Sequence, residues 1–464
     1  MNCQIGFCIL PSLKPIDLKQ LRSSFWMNSF FYTFLQRFSL VFLGAASFIL
    51  LVHAVSPDEF ANWALFTVIL STIDIVRSGL LRNSLIKFLA TSATGEKQKA
   101  AGASLCINLV LTTLIILLIL LFRNPAGTLL KASLLPELLI GAIPLLLSLV
   151  VFSHYEMLLQ SVFRFDIIFR STFIRPLVQF VGMLALYLFS REHLTVTAAL
   201  VFQTVGVLVG TVYIYLKGRA EFALLFSADP VIIRRMFAFG KYTAGTNLLA
   251  QTSRSFDHLL TAYYLPPAIS GLYVSYYNVV TRINNMVDVP SLAVADVVYP
   301  KNVQAMEEEG ISKVKYYFEQ VAGSVLAIML PVSLLLFIFP QEALKIIGGR
   351  DYLGASLILR IAVVVGMVRP LTFLFGSVMD SIGKPQMNFY INLGLLFISF
   401  LLHTFFILQF GGIGAAYALP IQYGITLIVM YMTLKKTIGF QANAVITSFQ
   451  QTYTRLRKFA KSKG

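Results

Sequence analysis

Arg254, Arg282 and Arg369 lie deep inside apolar stretches long enough to span a membrane. A guanidinium at a bilayer centre costs at least about 2.5–3.5 kcal/mol, so such residues face a polar cavity or a partner. Arginine presents a planar fork of donors matched to phosphate and carboxylate oxygens, and it keeps its charge when desolvated. Arginines retained along a transmembrane path therefore point first to a transporter that handles an anion.

The residues around them are spaced as helix faces. Asn247, Gln251, Arg254 and His258 fall at i, i+4, i+7 and i+11, and Ser275, Asn278, Arg282 and Asn285 at i, i+3, i+7 and i+10. Each set is a single polar stripe. Thr67, Ser71, Asp74 and Ser78 form a third, and Gln36 with Arg37 lies about a third of the way into the first span. Two readings of the charges compete. Arg254 with Asp257, and Asp74 with Arg77, are i, i+3 neighbours that can neutralise each other and hold helices together. Alternatively the arginines contact substrate, and Asp257 or Asp74 takes a proton that couples transport to an ion gradient. Arg282 has no acid three or four positions away, which favours a cavity. Arg369 precedes Pro370, whose missing N–H leaves backbone groups free to join a site. Arg37 and Arg360 sit nearer the span ends, where snorkelling is the competing reading. Glu156 and His154 are expected in a solvated last turn of the fourth span, and Tyr276 and Tyr277 either face sugars or pack.

These stripes need helices to carry them. With 57% hydrophobic and 12% charged residues and a mean hydropathy of +0.77, the chain lies outside the soluble globular range. Spanning windows predict twelve transmembrane helices near 28–53, 62–82, 101–122, 137–159, 168–189, 196–216, 236–262, 269–297, 317–341, 354–379, 387–409 and 412–434. Most of the 37 Lys and Arg fall on one side of these spans, and the other side carries Arg123, Lys131, Arg191, Lys345 and Arg350. The positive-inside rule then puts both termini in the cytoplasm. The same placement explains the net charge of +16 without nucleic acid, since the basic residues are not interleaved with stacking aromatics.

The expected organisation is a cytoplasmic tail over 1–27, a six-helix lobe over 28–216 and a linker over 217–235, followed by a second six-helix lobe over 236–434 and a basic tail over 435–464. The first twenty residues do not follow the pattern of a cleavable signal. In the last tail, Arg455, Arg457, Lys458, Lys461 and Lys463 read as an anchor for anionic lipid with no apolar core of its own. Cys3, Cys8 and Cys106 have no metal-ligand spacing. No zinc-protease, nucleophile-elbow or phosphate-loop motif occurs, so neither cofactor nor metal is expected. The short external connections leave no room for a soluble catalytic domain.

The halves resemble each other at their first turns. Ser56-Pro57-Asp58-Glu59-Phe60-Ala61 joins helices one and two, and Leu265-Pro266-Pro267-Ala268-Ile269-Ser270 joins seven and eight. Two halves in the same orientation form a parallel repeat, which places a substrate site at their interface near the midplane.

The Pro-Asp-Glu-Phe-Ala turn, Phe239-Gly240-Lys241, Asp257, Gly271-Leu272-Tyr273 and Tyr299-Pro300 resemble bacterial polysaccharide flippases. These are the O-antigen and exopolysaccharide members of the multidrug/oligosaccharidyl-lipid/polysaccharide exporter superfamily. The resemblance covers residues from about 25 to 435. It implies two lobes around a central cavity in the bacterial inner membrane, alternating access, and export of a repeat unit on polyprenyl diphosphate. A sugar polymerase and glycosyltransferases of the same pathway are the implied partners. On that reading Arg254, Arg282, Arg369, Asn247, Gln251, Asn278, Asn285 and Arg37 line the substrate path, with Asp257 and Asp74 as ion-coupling candidates. Two alternatives stand beside it. A drug or small-molecule exporter of the same superfamily would more naturally use carboxylates. A membrane glycosyltransferase or polymerase would need an external loop or a carboxylate cluster that the sequence lacks.

Overall fold

The computed structural model describes residues 18–91, 94–129, 132–222 and 229–463. Cys3, Cys8 and the side chains of the basic cluster from Arg455 onward lie outside the described residues. Sixteen α-helices and no strand are found among them: α1 (Leu18–Ala54), α2 (Pro57–Thr91), α3 (Thr94–Leu129), α4 (Leu135–Gly141), α5 (Ile143–Ser161), α6 (Phe165–Phe189), α7 (Val196–Gly218), α8 (Pro230–Ser253), α9 (Phe256–Tyr264), α10 (Pro267–Glu308), α11 (Ile311–Ile338), α12 (Pro340–Ile347), α13 (Ser356–Ser381), α14 (Pro385–Phe410), α15 (Gly414–Ile438) and α16 (Ala442–Lys463).

The chain is thus an all-α polytopic membrane protein, but only nine segments among the described residues are long and apolar enough to cross a membrane. The shortfall from twelve has two sources. The segments α14 and α15 run together as one apolar stretch, Pro385–Ile438. Neither α8–α9 nor α10 is apolar enough to qualify, because the polar stripes dilute them. Two expected helices are also broken. The fourth span divides at Ala142 into α4 and α5, with Pro144 at the new start. The seventh divides at Arg254 and Ser255 into α8 and α9.

Contacts between helices repeat from half to half. In the first half α2 packs on α3 and α5, α5 on α7, and α6 on α1 and α7; in the second α10 packs on α11 and α13, α13 on α15, and α14 on α8 and α15. The halves meet where α1 touches α10 and α2 touches α8, two contacts that exchange under the repeat. A turn repeats as well. After α5, the Phe163 N–H bonds to the Gln160 carbonyl and Arg164 N–H to Leu159; after α13, Gly383 N–H bonds to Asp380 and Lys384 N–H to Met379. Its third residue has φ of 59° at Phe163 and 79° at Gly383, a region that glycine enters without cost and phenylalanine does not.

Each lobe has its own apolar core, around Phe66, Tyr155 and Leu158 in the first and Tyr277, Phe318 and Phe375 in the second. Outside the cores, apolar side chains such as Val110, Leu121 and Phe122 of α3 are exposed, as hydrocarbon-facing positions are. The segment after the last span differs from expectation. Ser448 Oγ donates to the Gln320 carbonyl at 2.8 Å and Tyr453 Oη to the Ala327 carbonyl at 2.9 Å. α16 can approach because Gly323 of α11 has no side chain: a Cβ there would lie 2.5 Å from the Val445 carbonyl.

Candidate functional site

The polar stripes line the crevice between the lobes. Asn247, Gln251 and Arg254 of the first stripe are exposed, as are Asn278, Arg282 and Asn285 of the second and Ser71 and Asp74 of the third. The break after α8 decides what Arg254 can reach. An i, i+3 pair needs an unbroken helix, and here Asp257 lies in the first turn of α9 and bonds His258 Nδ1 at 2.6 Å instead. The Arg254 guanidinium lies 5.3 Å from the Phe373 ring centre. Arg282 stacks 5.0 Å from the ring of Phe48, which belongs to the other lobe. Among the described residues neither arginine has a carboxylate within ion-pair distance. Each is therefore free to meet an anion from the crevice.

Arg369 is differently placed. Its Nη1 bonds Asp288 at 2.8 Å, with side-chain exposures of 12% and 4%, so the pair ties α13 to α10 inside the second lobe. It bounds a narrow polar pocket with Asp257, His403 and Gln422. The Asp74–Arg77 pair forms as expected, at 2.8 Å. Arg77 is buried, and its Nε and Nη1 find no hydrogen-bond partner among the described residues.

Most of the basic residues lie at the end of the bundle where α2 and α10 finish, and the lobes are joined toward this basic end. Arg37 of α1 donates through Nε and Nη2 to Asp296 of α10, at 2.9 and 2.6 Å. Arg82 of α2 lies 3.9 Å from Asp296 and 3.5 Å from Glu156. Gln160, at the end of α5, donates to the Asp296 carbonyl at 3.1 Å. Its repeat equivalent Asp380, at the end of α13, accepts from Asn83 of α2 at 2.7 Å. Tyr299 Oη adds a bond to the Asn83 carbonyl and Thr243 Oγ1 one to the Gly79 carbonyl. Between α2 and α8 the helices approach until a Cβ on Gly240 would overlap the Leu80 carbonyl.

This seam corrects three expectations. Arg37 does not snorkel; it bridges the lobes. His154 is 1% exposed, and Glu156, 17% exposed, faces Arg82 at 3.5 Å, so neither sits in a freely solvated turn. Asp296, Arg82, Asn83 and Asp380 were not singled out from the sequence, although two of them left a signal. Asp296 stands 18 residues, five helical turns, after Asn278 on the same face of α10, and Arg82 stands one turn beyond Ser78. The stripes simply continue past the predicted ends of the spans.

Two cavities flank the seam and share Arg82, Gln160 and Asp296. The one in the first lobe, about 270 Å³, carries Arg37, Arg175, Asp74 and Glu156. The other, about 260 Å³ and mostly against the second lobe, is lined by amides and hydroxyls such as Asn388, Asn392, Thr246 and Ser377, together with Arg254 and Asp380. Among the described residues no three His, Cys, Asp or Glu side chains are arranged to hold a metal ion.

Two helical lobes, repeated in parallel around a polar crevice, form a fold shared with several solved transporter structures. The structure superposes on the Vibrio cholerae MATE transporter VcmN, in a mutant form, with a TM-score of 0.78 and 15% identity over 91% of this chain and 99% of that one. A MOP superfamily transporter from Pyrococcus furiosus, described by a binding pocket of reverse polarity, gives 0.72 and 13% over 93% and 95%. At these identities the likeness concerns the fold. The sequence goes further: residues 50–357 match the family described as polysaccharide biosynthesis protein, and the chain belongs to that family. It is 22% identical over 252 residues to the teichuronic acid biosynthesis protein TuaB of Bacillus subtilis (strain 168), a match spanning 53% of this chain and about half (49%) of that relative.

Proposed function

We propose that this protein is a flippase that carries a polyprenyl-diphosphate-linked oligosaccharide across the bacterial cytoplasmic membrane by alternating access. The observation that carries the reading is the pair of exposed arginines without carboxylate partners, Arg254 at the end of α8 and Arg282 of α10, in a chain of the polysaccharide biosynthesis family. A diphosphate supplies the anion that such residues lack. The amides Asn247, Gln251, Asn278 and Asn285 provide donors and acceptors for sugar hydroxyls. With α8–α9 and α10 counted, and α14 and α15 taken separately, twelve helices cross the membrane. On this reading both termini and the basic end are cytoplasmic, and the seam closes the crevice on the cytoplasmic side. Asp257 and Asp74 are the coupling candidates.

Arg254→Ala and Arg282→Ala test this. Losing a charge-assisted bond of about 1.5–3 kcal/mol lowers substrate affinity tenfold or more, so export of the lipid-linked repeat, normalised to membrane abundance, should collapse in both. Lysine at 282 should restore it only in part, because it keeps the charge and loses the fork. Wild-type export by Arg282→Ala would refute an anionic substrate at this site. The multidrug transporter of the same superfamily and fold, described in an outward-facing conformation, motivates a second reading, a small-molecule exporter. That reading expects drug efflux from cells and no effect of the protein on surface polysaccharide.

A further inference from the structure

We infer that the second-lobe cavity beside the seam is a subsite for the sugar attached to the diphosphate, built on Ser377, Asp380, Asn388 and Asn392. The inference rests on the flippase reading and adds where the first sugar is recognised and by which residues.

Arg254 lines the same cavity as the seam residues Asn83, Asp296 and Asp380, so a diphosphate held by Arg254 brings its attached sugar next to them. At about 260 Å³ it is near the lower bound of about 300 Å³ for small-ligand pockets. Its polar groups form one chain. Asn392 Nδ2 donates to Asn388 Oδ1 at 2.9 Å, Asn388 Nδ2 to Asp380 Oδ1 at 3.4 Å, and Asn83 Nδ2 reaches Asp380 Oδ2 from the opposite lobe at 2.7 Å. Ser377 Oγ is buried there with no hydrogen-bond partner among the described residues. A carboxylate, linked amides and a spare hydroxyl, set against the apolar faces of Phe373 and Met430, are complementary to a pyranose, whose hydroxyls both donate and accept while its ring face is apolar. A flat hydrophobic drug would leave the Ser377 hydroxyl unpaired, at about 1–3 kcal/mol.

The Asn83 amide has a second consequence. It occupies Asp380 only while the lobes are closed at the basic end, because it is carried by α2 of the first lobe. When the lobes part there, Asp380 loses that donor and a sugar hydroxyl or acetamido N–H can replace it. The subsite therefore has different affinities in the two states, which is the condition for a ligand to shift their equilibrium.

Binding to full-length protein in nanodiscs tests the assignment, with three probes: polyprenyl diphosphate alone, and the same lipid bearing one neutral hexose or one N-acetylhexosamine. The expected result is that at least one sugar-bearing probe binds about tenfold more tightly than the bare lipid. Ser377→Ala and Asn392→Leu should reduce that advantage to about threefold or less while the Kd for the bare lipid stays within error, and Asp380→Asn, which also weakens the Asn83 bond, should reduce the advantage as well. Ser377→Ala and Asp380→Asn barely change side-chain volume, so they remain informative if Asn392→Leu fails to fold. Equal binding of all three probes by the wild type would overturn the subsite and leave the flippase reading standing. Equal weakening of all probes by the variants would reduce these residues to a structural role. Wild-type binding to none of the probes would overturn the flippase reading itself.

Discussion

Asp296→Asn should unseal the basic end. Asp296 accepts two bonds from Arg37 and lies close to Arg82, with side-chain exposures of 28% for Arg37 and 23% for Asp296. The pair is thus neither a solvated surface bridge, worth about 0–1 kcal/mol, nor a dry one whose disruption costs about 3–5. Charge-assisted bonds in such a setting contribute about 1.5–3 kcal/mol. The amide can still accept one bond from Arg37, and the Gln160 bond to the residue 296 carbonyl is made by backbone, so a loss of about 2 kcal/mol is expected. At about 1.4 kcal/mol per decade that shifts the access equilibrium roughly 30-fold toward the state open at the basic end. A single cysteine at Thr246, on the cavity wall, in a cysteine-free background reports it. Its labelling by an impermeant maleimide applied from the basic side of oriented vesicles should accelerate by about one decade or more. Arg37→Gln should do nearly the same, and the double variant should add little to either single change. Unchanged labelling, or fully additive effects in the double variant, would show that the ion pair does not hold the lobes together.

Three further outcomes are expected. Arg369→Ala leaves Asp288 buried without its partner and should cost about 3 kcal/mol or more, seen as lost abundance that a paired Asp288→Asn change partly restores; an abundant single variant would count against a structural pair. Gly240→Ala should hold α8 away from α2 at the Leu80 carbonyl, and the Thr246 cysteine should label faster; unchanged labelling would mean the seam tolerates the extra carbon. Truncation after residue 450 removes the Thr452 and Tyr453 bonds to α11, each worth about 1 kcal/mol. It should lower the unfolding temperature while export per molecule is retained, and an unaltered midpoint would show that this packing contributes nothing.

Much of this protein was legible before folding was considered. Hydropathy and helical periodicity are local properties, so the spanning segments, the three polar stripes and the Pro57 and Pro267 repeat turns could be read from the chain alone. The Asp74–Arg77 pair was legible for the same reason, because its partners are one turn apart on one unbroken helix. Arg254 and Asp257 have the same spacing, yet they separate, since a helix break between them was not encoded by any proline or glycine nearby.

Partner choice across the chain was decided elsewhere. Arg369 finds Asp288 81 residues away, Arg37 finds Asp296 at 259, and Asn83 finds Asp380 at 297. Spacing along one helix carries no information about which face of another helix it will meet. The sequence by itself determined an all-helical membrane chain with cations along its interior faces. Only the tertiary structure decided which of those cations are neutralised and which remain open, because a guanidinium's partner is set by the crossing of two helices and the closure of two lobes, and neither is a property of either segment alone.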